Sequence, residues 1–250
     1  MDCGDAWTAT DGATLPVMDL RAAEIGSSWL LAGWGAAVPL LVAALRHADW
    51  ERVTRGAQRW FWHGAIAALI ALWSLKATLV SGFSFHLLGA AFLALTLGWP
   101  LALLGGLIVV VVSGILSSAH WANLPLVWLT LVVLPVTVSH TALRLSQRFL
   151  PPNFFVYTFL VAFFGTWLSV LVSVSVATVL WVLAVEHIGA GELLTYLPIT
   201  IQLGFGEASL TGMLVTIGVV YRPAWVATFD DARYLRASAR PSRGPDGNES

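Results

Sequence analysis

Residues 81–104 read SGFSFHLLGAAFLALTLGWPLALL, and whether this stretch crosses a hydrocarbon layer decides the fold. Its first apolar part, 84–98 (SFHLLGAAFLALTLG), falls short of the roughly 20 helical residues that a core of about 30 Å takes. By length alone it is a short crossing, a re-entrant hairpin or a loop. Around it lie apolar runs that are long enough, at 27–46, 60–80, 100–117, 124–143, 154–184 and 193–221. The last two exceed one span, so they tilt or project beyond the bilayer.

Composition already places the chain in a membrane. Of its 250 residues 58% are hydrophobic and 11% charged, and the mean hydropathy is +0.79. A soluble domain has about 45–50% apolar and about 25% charged residues. Thirteen basic and 14 acidic side chains are too few to cover a water-soluble globule of this size. That excludes a soluble enzyme, a disordered chain and a nucleic-acid binder. The net charge of −1 says nothing about partners, because placement of charge matters more than its sum. One cysteine, Cys3, excludes a disulfide framework and a cysteine-based zinc or iron–sulfur site within one chain.

The basic residues settle the count. Arg46, Arg52, Arg55 and Arg59 follow the first run, Arg144 and Arg148 sit near residue 150, and Arg222, Arg233, Arg236, Arg240 and Arg243 follow the last run. The positive-inside rule puts all three clusters in the cytoplasm. They share one side only if the chain crosses once more between residues 80 and 124, and 84–98 is the stretch that can do it. The reading is an all-α polytopic membrane protein with seven transmembrane helices, one of them short (84–98). Its N-terminus lies outside and its C-terminus in the cytoplasm, in a plasma or inner membrane. It divides into an external polar segment (1–26), a helical bundle (27–221) and a cytoplasmic tail (222–250) that is disordered from Ser238 onward. The external segments then hold seven acids and one arginine, Arg21.

Several of the 13 tryptophans fit this layout. Trp50, Trp60, Trp62, Trp99, Trp121, Trp181 and Trp225 fall near span ends, where an indole prefers the headgroup region. The first 26 residues are polar and acidic and lack the basic-then-apolar order of a secretory signal. Met18 opens a shorter product (MDLRAAEIG), so 1–17 are either a mis-assigned start or an external tail.

Polar groups inside the spans are the functional candidates, because they are expensive in lipid. Lys76 lies near the outer end of the second run, where its ammonium snorkels to the interface. His86 opens the short crossing beside a glycine, a setting in which backbone and imidazole face a cavity. A histidine satisfied at the interface is the plainer alternative. His63 and His140 lie near inner span ends, His47 in an inner loop, and His120 and His187 in outer loops. Glu207 is mid-span in LPITIQLGFGEASLTGMLVT, with Gly204, Gly206 and Gly212 around it. Small residues at that density let helices approach closely, so the carboxyl group needs a partner inside the bundle or a proton. A structural and a transport role stand equal. The chain has no phosphate-binding loop, no HExxH, no GxSxG and no paired carboxylates within the membrane. Nothing in it asks for catalysis, and any ATPase would be a separate chain.

With these positions in place, the chain resembles the CbiM/NikM family, the substrate-binding membrane subunits (permeases) of cobalt and nickel energy-coupling-factor ABC transporters. SGFSFHLLGAAF matches that family's Gly-Ser-x-Ser-His-Pro-x-Gly loop, with His86 and Gly89 on matching positions and Trp99-Pro100 where the family has Gly-Pro. Asn123 falls where it has Gly-Ala-Asn, Glu207 and Thr211 fit a Glu-Gly-x-x-Thr pattern, and Arg222-Pro223 fits a closing Arg-Pro. Two further stretches, FVYTF (155–159) and ATFDDARYL (227–235), are similar to proteins labelled only as energy-coupling-factor permeases. The resemblance covers roughly 27–235 and implies the same seven-crossing topology, no enzyme activity, and Co2+ or Ni2+ as substrate. It also implies separately encoded partners, a transmembrane coupling subunit and ATPase subunits, which the basic inner loops would contact. Simple attraction of those loops to anionic lipid is the plainer account of any one arginine.

One departure stands out. The family holds its metal with the N-terminal amine, a histidine at position two and the loop histidine, whereas this chain begins Met1-Asp2-Cys3. The Pro after the family's loop histidine is Leu87 here. His86 is the surviving ligand-like position, and one imidazole does not make a metal site. Either Cys3, an N-terminal aspartate or another histidine completes the site, or metal binding was lost and the fold kept. The leading function is capture of a transition-metal ion (cobalt- or nickel-like) or a related small solute for uptake, with His86 facing an outward cavity and Glu207 holding the short helix against the last one. The alternative is a non-transporting assembly factor or scaffold on the same fold.

Overall fold

In lipid every backbone N–H and C=O must be satisfied internally, and a long apolar helix does so within one segment. Among the described residues five helices are long and apolar enough to cross a membrane: Ser27–His47, Trp99–Leu116, Trp121–Phe149, Val156–Leu180 and Thr200–Tyr221. The chain is an integral membrane protein built of helices. The computed structural model describes residues 25–55, 58–74, 77–80, 83–85, 88–116, 121–184, 190–230 and 234.

The elements follow in order as α1 (Ser27–His47), α2 (Trp50–Thr54), α3 (Arg59–Ser74), β1 (Ala77–Val80), β2 (Phe83–Phe85), α4 (Ala90–Leu97) and α5 (Trp99–Leu116). After a short 3-10 turn come α6 (Leu124–Trp128), a π-helical turn (Leu129–Val133) and α7 (Leu134–Phe149). A π-helical segment (Val156–Gly165) leads into α8 (Thr166–Ala184), and α9 (Ala190–Tyr221) closes the bundle. The π turn has a local cause in Pro135, at the start of α7. Proline lacks an N–H and its ring clashes with the carbonyl four residues back, so the preceding turn widens. With 32 residues, α9 is about 48 Å long, well beyond one hydrocarbon thickness.

The structure departs from the sequence reading in the second run and in the short crossing. The run at 60–80 is helical only to Ser74. Ala77–Val80 instead pairs antiparallel with Phe83–Phe85, Ala77 opposite Phe85 and Thr78 opposite Ser84. Threonine, valine and phenylalanine favour extended backbone, which is why the apolar run does not stay helical to its end. The stretch at 84–98 accordingly contains β2 and then only the eight-residue α4, about 12 Å long.

Such a fragment survives at membrane depth only when protein surrounds it. Seven of the eight residues of α4 are buried, Phe92 being the exception. The helix is apolar all round, as a buried helix is. It packs on α5, α7 and α9. One large core unites α1, α3, α4, α5, the α6–α7 rod and α8. A second gathers Leu95, Leu143, Tyr157, Val161, Val215 and Val219 with Val226, Phe229 and Tyr234 from beyond α9.

The arginine-bearing segments meet at one end of the bundle. The Gln58 side chain, at the start of α3, donates to the Ala224 carbonyl at 3.0 Å, and Gln147 of α7 donates to the Tyr234 hydroxyl at 3.4 Å. Arg144 and Arg148 belong to the last turns of α7 rather than to a loop, because that helix runs on to Phe149. Trp50, Trp60, Trp121 and Trp225 are exposed, as interfacial tryptophans are. Trp73 and Trp128 are buried instead, and their indole N–H groups reach the carbonyls of Leu88 and Leu103 at 3.2 Å each.

The small residues flanking Glu207 differ in what they face. A Cβ on Gly204 would come within 2.9 Å of the Trp167 ring on α8, while one on Gly206 would meet nothing within 4 Å. Gly204→Ala should therefore lower stability by about 1–3 kcal/mol, the usual cost of overpacking. Gly206→Ala should be neutral or slightly stabilising, since alanine is the better helix former. Thermal unfolding of the two purified proteins in the same detergent checks this, and equal melting temperatures would contradict the packing.

Candidate functional site

The entry to α4 cannot satisfy its own backbone. The first N–H groups of any helix lack intrahelical acceptors, and here Leu88 and Gly89, just ahead of α4, are not helical and offer no side-chain cap. Gly89 is the residue before the helix, with φ of +64°, a left-handed conformation that L side chains rarely adopt. A Cβ there would also press within 2.9 Å of the Leu69 side chain, so both geometry and space call for glycine.

Glu207 meets this need from α9. Its Oε2 accepts the Leu88 N–H at 2.8 Å and its Oε1 the Gly89 N–H at 2.9 Å. Two successive backbone donors converging on one carboxylate form the kind of main-chain concavity that holds anions. The side chain is 1% exposed, so water does not compete for these bonds. Hydrogen bonds to a charged group are stronger than neutral ones. Leu88 is fixed at its carbonyl as well, by the Trp73 indole of α3 at 3.2 Å. The turn is thus held by α3 from one side and α9 from the other. Leu88 stands two residues after His86 in the chain.

The other candidates fall as follows. Thr211 is buried on α9, four residues beyond Glu207 and hence on the same helix face. Asn123 is buried at the start of α6, which packs on α1 and α5. His86, Lys76 and Cys3 lie outside the described residues. Among the described residues no three His, Cys, Asp or Glu side chains gather in a way that could hold a metal ion. His140 is engaged locally, accepting from the Arg144 Nε at 3.3 Å, and His47 and His63 each lie 2.8 Å from the carbonyl four residues earlier.

With the turn and its carboxylate in view, the comparison with known families becomes decisive. A family model described as the cobalt uptake substrate-specific transmembrane region, CbiM, matches residues 22–225. The chain belongs to the CbiM family. The match runs from before α1 to beyond α9 and takes in the β hairpin, α4 and Glu207. A search of curated proteins finds no match. Membership makes this member of CbiM a membrane component of a transport family, in keeping with its helices.

Sequence reasoning singled out Glu207 but missed the partners that give it a place. Trp73 read as one more apolar residue, and backbone N–H groups leave no mark in a sequence. Gly89 was matched to the family loop, though its left-handed backbone shows only in the fold.

Removing the carboxylate should be costly. Glu207→Ala leaves two buried N–H groups unpaired and should destabilise by about 3 kcal/mol or more. Glu207→Gln keeps one acceptor oxygen and should lose roughly half as much. Chemical or thermal unfolding in detergent ranks the three proteins. A glutamine variant as unstable as the alanine one would mean that the second bond contributes most.

Proposed function

We propose that this CbiM-family chain is the substrate-capturing membrane component of an energy-coupling-factor-type uptake transporter, with Co2+ or Ni2+ as its cargo. The observation that carries the reading is the double hold on Leu88. Glu207 takes its N–H and Trp73 its carbonyl, so the chain two residues past His86 is pinned against the bundle. Capture of a small ion needs ligands held in place before the ion arrives, and a pinned turn beside a histidine supplies that.

In this reading the chain crosses seven times. Support comes from the direction of the elements. The carboxyl end of α4 lies with the arginine-bearing segments, since Leu97 lines the same cleft as His47, Arg52 and Arg144. The hairpin and α4 together therefore return the chain to that end, and α5 leaves it again. The positive-inside rule makes this end cytoplasmic, with the N-terminus outside. A coupling subunit and ATPase subunits, encoded separately, complete the transporter. The metal site contains His86 and a second group in place of the family's histidine at position two, for which Cys3 is the candidate.

Whole-cell cobalt and nickel content in a host lacking its own importers tests the function, with partner subunits co-expressed. Expression should raise one of these metals several-fold, and His86→Ala should abolish the gain. Cys3→Ala should lower affinity in calorimetry, and unchanged affinity would remove Cys3 from the site. Metal content that stays flat for the wild type would favour the scaffold reading. For topology, single cysteines at positions 120 and 150 in a Cys3→Ser background should label from outside and inside respectively. Labelling of both from one side would overturn seven crossings.

A further inference from the structure

Two stretches noticed in the sequence, FVYTF and ATFDDARYL, have no place in the site described so far. The structure brings Tyr157 of the first together with Thr228, Phe229 and Tyr234 of the second, beneath the carboxyl end of α4. That end has the complementary backbone need, because the last carbonyls of a helix lack partners. The Thr96 carbonyl accepts the Ala227 N–H at 2.9 Å, and the Leu95 carbonyl accepts the Thr228 hydroxyl at 2.6 Å. Tyr157 lies 2.7 Å from the Thr228 oxygen. Thr228 has a single hydroxyl proton, already given to Leu95, so Tyr157 is the donor. The relay runs from Tyr157 through Thr228 to Leu95.

Rings lock the relay in place. Tyr157 packs on Phe229 and Tyr234 with centroids 5.0 and 5.2 Å apart, and Phe229 stacks on Tyr234 at 5.0 Å. Tyr157 is fully buried, and Tyr234 is 2% exposed. Both ends of α4 are thus held by one continuous piece of chain. Glu207 grips the entry, and Ala227 with Thr228, at the end of the same stretch, grips the exit. Between them stands an eight-residue helix buried almost throughout. A rigid helix fixed at both ends transmits a displacement at one end to the other, because packed interiors shift between discrete arrangements rather than deforming smoothly. A cleft of about 340 Å³ lined by Gln58, Ala224, Ala227 and Phe229 lies beside the segment that grips the exit.

We propose that Thr228 and the segment around it form a latch on the carboxyl end of α4, setting through that helix the position of the Leu88–Gly89 turn and so the readiness of the capture site. Thr228 is a positioning residue, and its link to metal capture rests on the uptake reading above. The latch lies at the arginine-rich end, where a coupling subunit would act. It gives the cytoplasmic side a mechanical handle on a site near the opposite side.

The test separates the latch from the uptake reading. Hydrogen–deuterium exchange is measured on the full chain in detergent, following peptides that cover 86–92, 101–110 and 226–230. Thr228→Val removes the relay at nearly constant shape. It should speed exchange in 86–92 about fivefold, the shift expected for loss of one net buried hydrogen bond, while 101–110 keeps its wild-type rate. Thr228→Ser retains the hydroxyl and should restore protection. Tyr157→Phe, a milder change that serves if the valine variant does not fold, should move 86–92 in the same direction. Co2+ affinity of the valine variant should fall by a similar factor and that of the serine variant should not. Loosening confined to 226–230, or equal loosening of every peptide, would overturn the latch. Exchange coupling in a protein that binds neither Co2+ nor Ni2+ would sustain the latch and overturn the uptake reading. Metal binding without the coupling would do the reverse.

Discussion

The structure depends on one carboxylate placed where a membrane bundle can least tolerate an unpaired backbone. At Leu88 and Gly89, just ahead of α4, the chain is neither strand nor helix, and it lies against a carboxylate from which water is shut out. Each unpaired amide there costs several kcal/mol in order of magnitude. Glu207 takes both amides of the turn. The glutamate and the irregular turn therefore require each other. Without the turn, a carboxylate in mid-span would need another partner or a proton, and without the carboxylate the turn would have to rearrange.

From this pairing the rest of the architecture follows. A helix as short as α4 cannot cross a membrane, and it holds its place through what grips its ends. Trp73 fixes the carbonyl of Leu88, α9 supplies Glu207, and the segment after α9 closes the other end through Ala227 and Thr228. The surrounding helices supply the apolar walls. Gly204 lets α9 lie against the Trp167 ring of α8, and α9 together with the segment after it holds both ends of α4.

Much of this was legible in the chain. Hydropathy showed a membrane protein, the arginine clusters marked the segments that meet at one end, and the isolation of Glu207 among apolar residues marked it as a site. Its hydrogen bonds to the N–H groups of Leu88 and Gly89 join α9 to the two residues just ahead of the short helix. The end of the second apolar run was misread as helix, because a pattern of apolar residues without polar punctuation does not distinguish a buried helix from a short strand. Tyr157 and Thr228 were visible only as parts of two motifs with no evident connection. Seventy-one residues separate them, and nothing in either motif names the other.

The opening stretch shows where the two sources of information divide. Its length and its place between basic clusters raised, from sequence alone, the expectation that the chain turns back toward the arginine-rich end there. Charge and hydrophobicity are summed properties and survive without coordinates. What backbone that stretch adopts was decided by tertiary structure. A strand, a left-handed glycine and an eight-residue helix become possible only when distant groups satisfy their backbone, and backbone hydrogen-bonding need is the same for every residue except proline. The sequence could mark the glutamate as a group in search of a partner; the fold alone supplied the two amides that it found.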